Sequence, residues 1–264
     1  MLRAELTTQL VRLRTLIALA CLAAVPVLAA VSFASSAGHR NGTQGGLFGA
    51  SPYSALNHTM ASLAFIGPLL LPIIVALLAT AIASADRDWG ILRYLYIAPV
   101  TRTRLLTAKL AAIAIATTLA LVCVLAAGLI AGLAVFGWHP FHIIGAANLN
   151  TSAAIARSLA ASGYTLLCML AMAAIAFTLG LLLPRGAEAL AAAVAFVVAA
   201  SILNGQPAMH PIAVVLPVHY WQDWLGLFES HGRGLSTGAA IQIATIALCT
   251  AICAAVLQRR DPAA

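Results

Sequence analysis

Long apolar runs alternate along this chain with short polar interruptions, and the runs have the length of helices, not strands. Six reach or approach the roughly 20 residues that a bilayer-crossing helix needs: about 15–34, 61–84, 105–137, 154–183, 187–203 and 237–257. Each is dominated by Ala, Leu, Ile and Val, and none shows the roughly ten-residue alternation of a barrel strand. The expected fold class is all-α integral membrane, a single domain over residues 1–264 with six transmembrane helices. The third run would extend about 50 Å as a helix against a hydrocarbon core of about 30 Å, so it is expected to tilt or to project.

The interruptions refine this pattern. Leu2, Leu6, Leu10 and Leu13 share one helical face, with Glu5 and Arg12 roughly opposite and Arg3 and Arg14 at its margin. That suits an N-terminal interfacial helix over residues 2–14, the alternative being a frayed start with snorkelling arginines. Residues 35–60 are Gly- and Ser-rich and read as an external loop, while Pro68 and Pro72 predict a bend in the second run. "LPRGAE" at 183–188 reads as a tight turn. Residues 204–236 stay apolar but hold Pro207, Pro211 and Pro217 with Tyr220, Trp221, Trp224 and Phe228. They predict a re-entrant external segment of short helices dipping into the outer leaflet, with an aromatic belt at the headgroups.

Composition agrees with the runs, since 62% of residues are hydrophobic and only 8% charged. Lys and Arg are retained on the cytoplasmic side of a membrane. With the amino terminus inside, Arg3, Arg12, Arg14, Arg87, Arg93, Arg102, Arg104, Lys109, Arg185, Arg259 and Arg260 are cytoplasmic, and only Arg40, Arg157 and Arg233 lie outside. Both termini are therefore expected in the cytoplasm, and topology accounts for the net charge of +7 with no nucleic acid as partner. The first run also resembles a signal peptide, with basic residues before it and "SFASSAG" after it. Its length exceeds the usual apolar stretch of roughly 7–15 residues, and its removal would leave an odd number of spans.

Chemistry is sparse. The cores of the runs lack Asp, Glu, Lys, Arg and His, which argues against an ion-driven carrier. Glu188, near a boundary, reads as part of its turn. There is no HExxH, no GxxxxGK[ST] loop, and no histidine expected in a span to act as base for a membrane serine. His39, His58, His139, His142, His210, His219 and His231 are all expected outside, spread over three loops, with "HPFH" at 139–142 a weak candidate for cation capture or pH sensing. Cys21, Cys123, Cys168, Cys249 and Cys253 all fall within runs and read as small apolar residues, so no metal site is expected. Any energy for work has to come from another chain.

The charged exception is "DRDWGILRYLYIAPVTRTRLLTAKL" at 86–110. Asp86, Arg87, Asp88 and Arg93 bring charge, Trp89, Leu92 and Tyr96 recur at helical spacing, and Pro99 ends the element before Arg102, Arg104 and Lys109. A short interfacial helix in the largest cytoplasmic loop is predicted. Five basic residues would suffice to hold such a loop inside. Asp86 and Asp88 add nothing to that signal, whereas a docking surface would use them.

This stretch resembles the loop between the second and third spans of ATP-binding-cassette exporter permeases, the ABC type-2 membrane-spanning family. The shared pattern is an acidic residue, a Gly, an apolar helix, Pro, a hydroxyl residue with Arg, and a Lys opening the third span, here Asp88, Gly90, Pro99, Val100, Thr101, Arg102 and Lys109. The family often has Glu where Arg93 stands and Thr where Ile91 stands. The resemblance extends over the amphipathic start, the six spans and the apolar segment before the last one.

The resemblance implies a cytoplasmic coupling helix between spans 2 and 3, seated in a groove of a separate ABC ATPase. Its interface would comprise Asp86, Asp88, Trp89, Gly90, Leu92, Tyr96, Pro99 and Arg102, with Arg12, Arg14, Arg104 and Lys109 anchoring to the membrane. It implies a second permease chain, identical or paralogous, and ATP and Mg bound by the partner, so this chain needs no cofactor and is not itself an enzyme. The expected function is multidrug or antibiotic efflux, or export of a lipid-like molecule, across a bacterial cell membrane. Competing expectations are a non-transporting scaffold or accessory protein, a membrane hydrolase with a reactive Ser or Cys, and an export component for a metal-related, haem-related or polysaccharide substrate.

Overall fold

The computed structural model describes residues 12–35, 46–88, 102–143, 148–228 and 235–259. Seven long helices carry it: α1 Leu13–Ser35, α2 Ala55–Ile66, α3 Leu70–Asp88, α4 Arg102–Val135, α5 Thr151–Leu182, α6 Gly186–Asn204 and α7 Ser236–Arg259. No strand occurs among the described residues, only an isolated antiparallel bridge between Phe141 and Leu149. Five of the helices are long and apolar enough to cross a membrane, and the pair α2 and α3 makes a sixth crossing if it counts as one broken span. The expected interfacial helix at 2–14 lies almost wholly outside the described residues.

The helix ends follow from local chemistry. Ser54 caps α2 by accepting from the Asn57 amide at 3.3 Å, and Asn150 caps α5 by accepting from the Ala153 amide at 2.9 Å. Gly137, with φ +74°, closes α4 in the left-handed region, and its amide reaches back to the Gly132 carbonyl. Between α2 and α3 the chain turns by 64° over Gly67 to Leu69. Pro68 has no amide hydrogen to give the Ala64 carbonyl, and a Cβ on Gly67 would sit 2.8 Å from the Leu63 oxygen. Pro72 lies in the first turn of α3, where a missing amide is tolerated. The expected bend is therefore present. The helical stretch starts earlier than expected, at Ala55 instead of about 61.

Packing relies on small residues where helices come closest. On α4, Gly128 and Gly132 face α2: an added Cβ would lie 3.2 Å from Thr59 Cα and 2.9 Å from Ala55 Cα respectively. Gly180 of α5 lies against Ala83 and Thr80 of α3, and Gly238 of α7 against Tyr164 and Tyr220. On α1, Thr15, Ala18, Leu22, Pro26 and Ala30 form a buried stripe, with Cys123 of α4 donating to the Leu19 carbonyl at 3.5 Å. Thr59, Thr80, Thr165 and Thr178 donate to the carbonyls four residues back at 2.7–2.9 Å, so their hydroxyls need no partner on another helix.

The expected aromatic belt is a buried cluster instead. Residues 204–228 fold as short turns over the bundle, and Tyr220, Trp221, Trp224 and Phe228 are all buried. Tyr164 donates to the Tyr220 carbonyl at 2.9 Å, Arg157 to the Leu227 carbonyl at 2.9 Å, and Gln242 to the Pro217 carbonyl at 2.8 Å. Phe141 stacks on Phe228 at 4.9 Å. These ties draw the rings into protein instead of leaving them at a lipid surface.

Because Ala55 Cα has no room for a neighbour's side chain, Gly132→Leu is expected to lower thermal stability in mild detergent by about 1–3 kcal/mol. Gly163→Leu, at a position with nothing within 4 Å, is expected to leave the midpoint nearly unchanged. Equal midpoints for the two variants would contradict the close α2–α4 contact.

Candidate functional site

The gap between α3 and α4 is where the sequence places its charged and aromatic stretch. Trp89, Gly90, Leu92, Tyr96 and Pro99 lie outside the described residues. Asp86 and Asp88 belong to the last turn of α3, and Arg102 opens α4. Arg104 is exposed on the first turn of α4, while at the start of α1 Arg12 is half-buried and Arg14 exposed.

Lys109 is placed differently from a cation at the membrane surface. It is 4% exposed, and its ammonium donates to the Ile82 carbonyl of α3 at 2.9 Å. It shares the buried face of α4 with Leu106, Ala112, Ile113 and Ala116. Ile82 and Lys109 each lie about two helical turns in from the gap, so the bond is a rung between the helices that flank it.

Basic residues gather at this end of the bundle. Arg87, Arg102, Arg104, Lys109, Arg185 and Arg259 lie there with Arg12 and Arg14, against Arg157 at the other end among the described residues. Arg185 pairs with Glu188 at 3.5 Å across the start of α6, so Glu188, expected as part of the connecting turn, lies in the first turn of the helix.

A second polar centre lies at the opposite end and was missed from sequence. His58 is not in an external loop: it sits on α2, 1% exposed, between Ser51, α1 and the Phe136 ring. Its Nε2 is 3.0 Å from the Pro26 carbonyl, which can only accept, so Nε2 carries the proton. Nδ1 is then free to accept from the Ser51 hydroxyl at 2.8 Å. The expectation that no histidine lies in a span is thus corrected, since α2 is one half of the broken candidate span, while Ser51 lies in the short turn before it. The pair is sealed, since Ser51 is also 1% exposed, and in this arrangement it binds segments together and presents no nucleophile to a substrate. Beside it, Asn57 accepts from the His142 amide at 3.0 Å and donates to its carbonyl at 2.8 Å.

The remaining described histidines make separate contacts. His142 meets Asn148 at 2.7 Å and stacks on Tyr53 at 4.1 Å, and His210 meets His219 edge-on at 5.7 Å. No group of three or more His, Cys, Asp or Glu side chains that could hold a metal ion occurs among the described residues. Cys249 and Cys253 are both buried, the latter 3.3 Å from the Thr178 hydroxyl.

A family model described as "Protein of unknown function (DUF2705)" matches residues 17–263 of the chain. No curated protein matches it.

Replacing His58 with Phe removes the side-chain bond to the Pro26 carbonyl and leaves the Ser51 hydroxyl without its acceptor, and the expected loss is about 1–3 kcal/mol. His58→Gln, which keeps a donor and an acceptor, is expected to recover part of it. Thermal unfolding of the two variants in the same detergent checks this, and a Phe variant as stable as the parent would rule out the anchoring role.

Proposed function

We propose that this chain, which belongs to the DUF2705 family, is the membrane-spanning permease subunit of an ATP-driven exporter. The observation that carries this reading is the stretch 86–110, charged and aromatic between two long apolar runs, spanning the end of α3 and the start of α4. Six crossings arise if α2 and α3 form one broken span. The gathering of basic residues at the α3–α4 end supports placing that end in the cytoplasm, with both termini there as well.

In this reading Trp89, Leu92 and Tyr96 pack in a groove of a cytoplasmic ABC ATPase, and Asp86 and Asp88 face its basic residues. Gly90 and Pro99 delimit the docking helix. Arg102 and Arg104, with Arg12 and Arg14, hold the loop and the first helix at the headgroups. Two permease chains pair with two ATPases, which bind ATP and Mg. ATP binding draws the ATPases together and rocks the docked loops, opening a path outward, and hydrolysis resets it. The residues of this chain transmit that motion and line the path, and they bind no nucleotide.

The substrate class follows from the walls. The helices offer no charged selectivity group at mid-depth, so a hydrophobic or amphipathic small molecule, drug-like or lipid-like, suits the path better than an ion or a sugar polymer. The setting is the cell membrane of a bacterium.

Affinity purification of the tagged chain in mild detergent is expected to bring down a stoichiometric ATPase. In Asp88→Arg and Trp89→Ala its retention should fall by about tenfold or more at unchanged expression, as expected for central interface positions. A chain that purifies without any ATPase sinks the exporter reading. Full retention in both variants removes the docking role of the 86–99 stretch.

A further inference from the structure

Lys109 is buried, whereas Arg14, Arg104 and Arg185 are exposed and Arg12 and Arg157 half-buried, and it occupies a position where an aliphatic side chain would fit the surrounding stripe. Drawing an ammonium group out of water carries a desolvation penalty that a packed Leu or Met would avoid. A charge kept at such a position points to what it binds. One group it binds is the Ile82 carbonyl of the neighbouring helix, 2.9 Å away.

The bond completes a three-sided frame. α2 and α3 are joined by the bend at Gly67 to Leu69. α2 and α4 are locked at the far end, where Gly128 and Gly132 meet Thr59 and Ala55 with no room for a side chain. The third side, between α3 and α4 near the loop, combines apolar packing, which resists sliding only weakly, with the directional contact from Lys109 to Ile82. A pull on residues 89–101 reaches both flanking helices. With the rung in place they move together and the displacement passes to the bend and to the glycine contact. Without it, the helices slide or splay and absorb the motion close to where it enters.

We infer that Lys109 is a positioning residue of the transport cycle, coupling α3 and α4 so that motion of the docked loop is transmitted into the bundle. This rests on the exporter reading above and adds to it a step separate from docking.

The test uses the complex of the tagged chain with its co-purifying ATPase, reconstituted in phosphatidylethanolamine and phosphatidylglycerol vesicles. ATPase retained per permease and ATP hydrolysis per complex are measured for the parent, Lys109→Met and Lys109→Arg. The Met variant is expected to retain its ATPase at the parental ratio while hydrolysis falls about fivefold to tenfold, the factor one lost hydrogen bond is worth. The Arg variant, still a donor, should recover most of the rate. Parental hydrolysis in Lys109→Met overturns the inference. So does loss of the ATPase from that variant, which would make Lys109 part of docking. If Lys109→Met fails to accumulate, Lys109→Leu, which also has no donor, carries the same comparison: slower hydrolysis at full retention supports transmission, and the parental rate overturns it. A parental sample with no ATPase sinks the exporter reading itself, and this inference with it.

Discussion

A polar group enclosed by apolar helices has to find its partner within the chain, and most of this architecture follows from how that demand is met. Leaving a buried donor or acceptor unmatched costs about 1–3 kcal/mol, while a matched pair contributes only about 0.5–1.5 kcal/mol. The demand therefore acts mainly by excluding arrangements. The backbone meets it through helices, and threonines meet it within their own helix. The longer side chains cannot. His58 reaches α1, Lys109 reaches α3, and Tyr164, Arg157 and Gln242 reach the segment between α6 and α7. In a bundle held largely by contacts without direction, such bonds help fix which helix sits beside which, and at what height.

The glycines are the counterpart of those bonds. Where Gly128 and Gly132 face Thr59 and Ala55, and where Gly180 faces Ala83, the helices approach too closely for any polar side chain to intervene. The buried polar atoms with no partner among the described residues are Ser62 Oγ, Ser158 Oγ, Trp221 Nε1 and Gln242 Oε1. They are not scattered: they lie on α2, α5, the 204–228 segment and α7, the elements that this segment ties together. Even the carbonyl that Pro68 leaves unmatched, that of Ala64, meets Gln222 only at 3.5 Å. Matching is closer at the Lys109 contact than under the 204–228 segment at the other end.

The helices were legible because apolar runs of that length have one stable outcome, and the bend was legible because Pro68 and Pro72 sit inside such a run. The start of α2 was not. Asn57, His58 and Thr59 read locally as loop, and their partners lie far off in sequence, at Pro26 and His142. The aromatic cluster was misread for the same reason: Trp and Tyr near a membrane boundary suggest headgroups, and only the reach of Tyr164 and Arg157 shows that they are enclosed. Lys109 is a different kind of miss. Grouped with Arg102 and Arg104 it looks like another surface cation, yet its helical phase with Leu106, Ile113 and Ala116 marks it as inward-facing, and that signal was in the sequence.

The joints of the α2–α3–α4 frame differ in how they can yield. The glycine contact tolerates no closer approach, and the Lys109 bond tolerates little sliding, since an N–H···O contact weakens steeply as its angle closes. The bend at Gly67 to Leu69 is different: Pro68 has removed one rung of the helical ladder, so a change of angle there breaks fewer bonds than bending an intact helix would. Load entering between α3 and α4 is thus expected to leave at the bend, toward α2. That helix carries His58, whose Nε2 holds the Pro26 carbonyl on α1, so the first helix is the next element to feel it. Under the exporter reading proposed above, displacement would then pass from one end of the bundle to the other, as a permease driven by a separate ATPase requires.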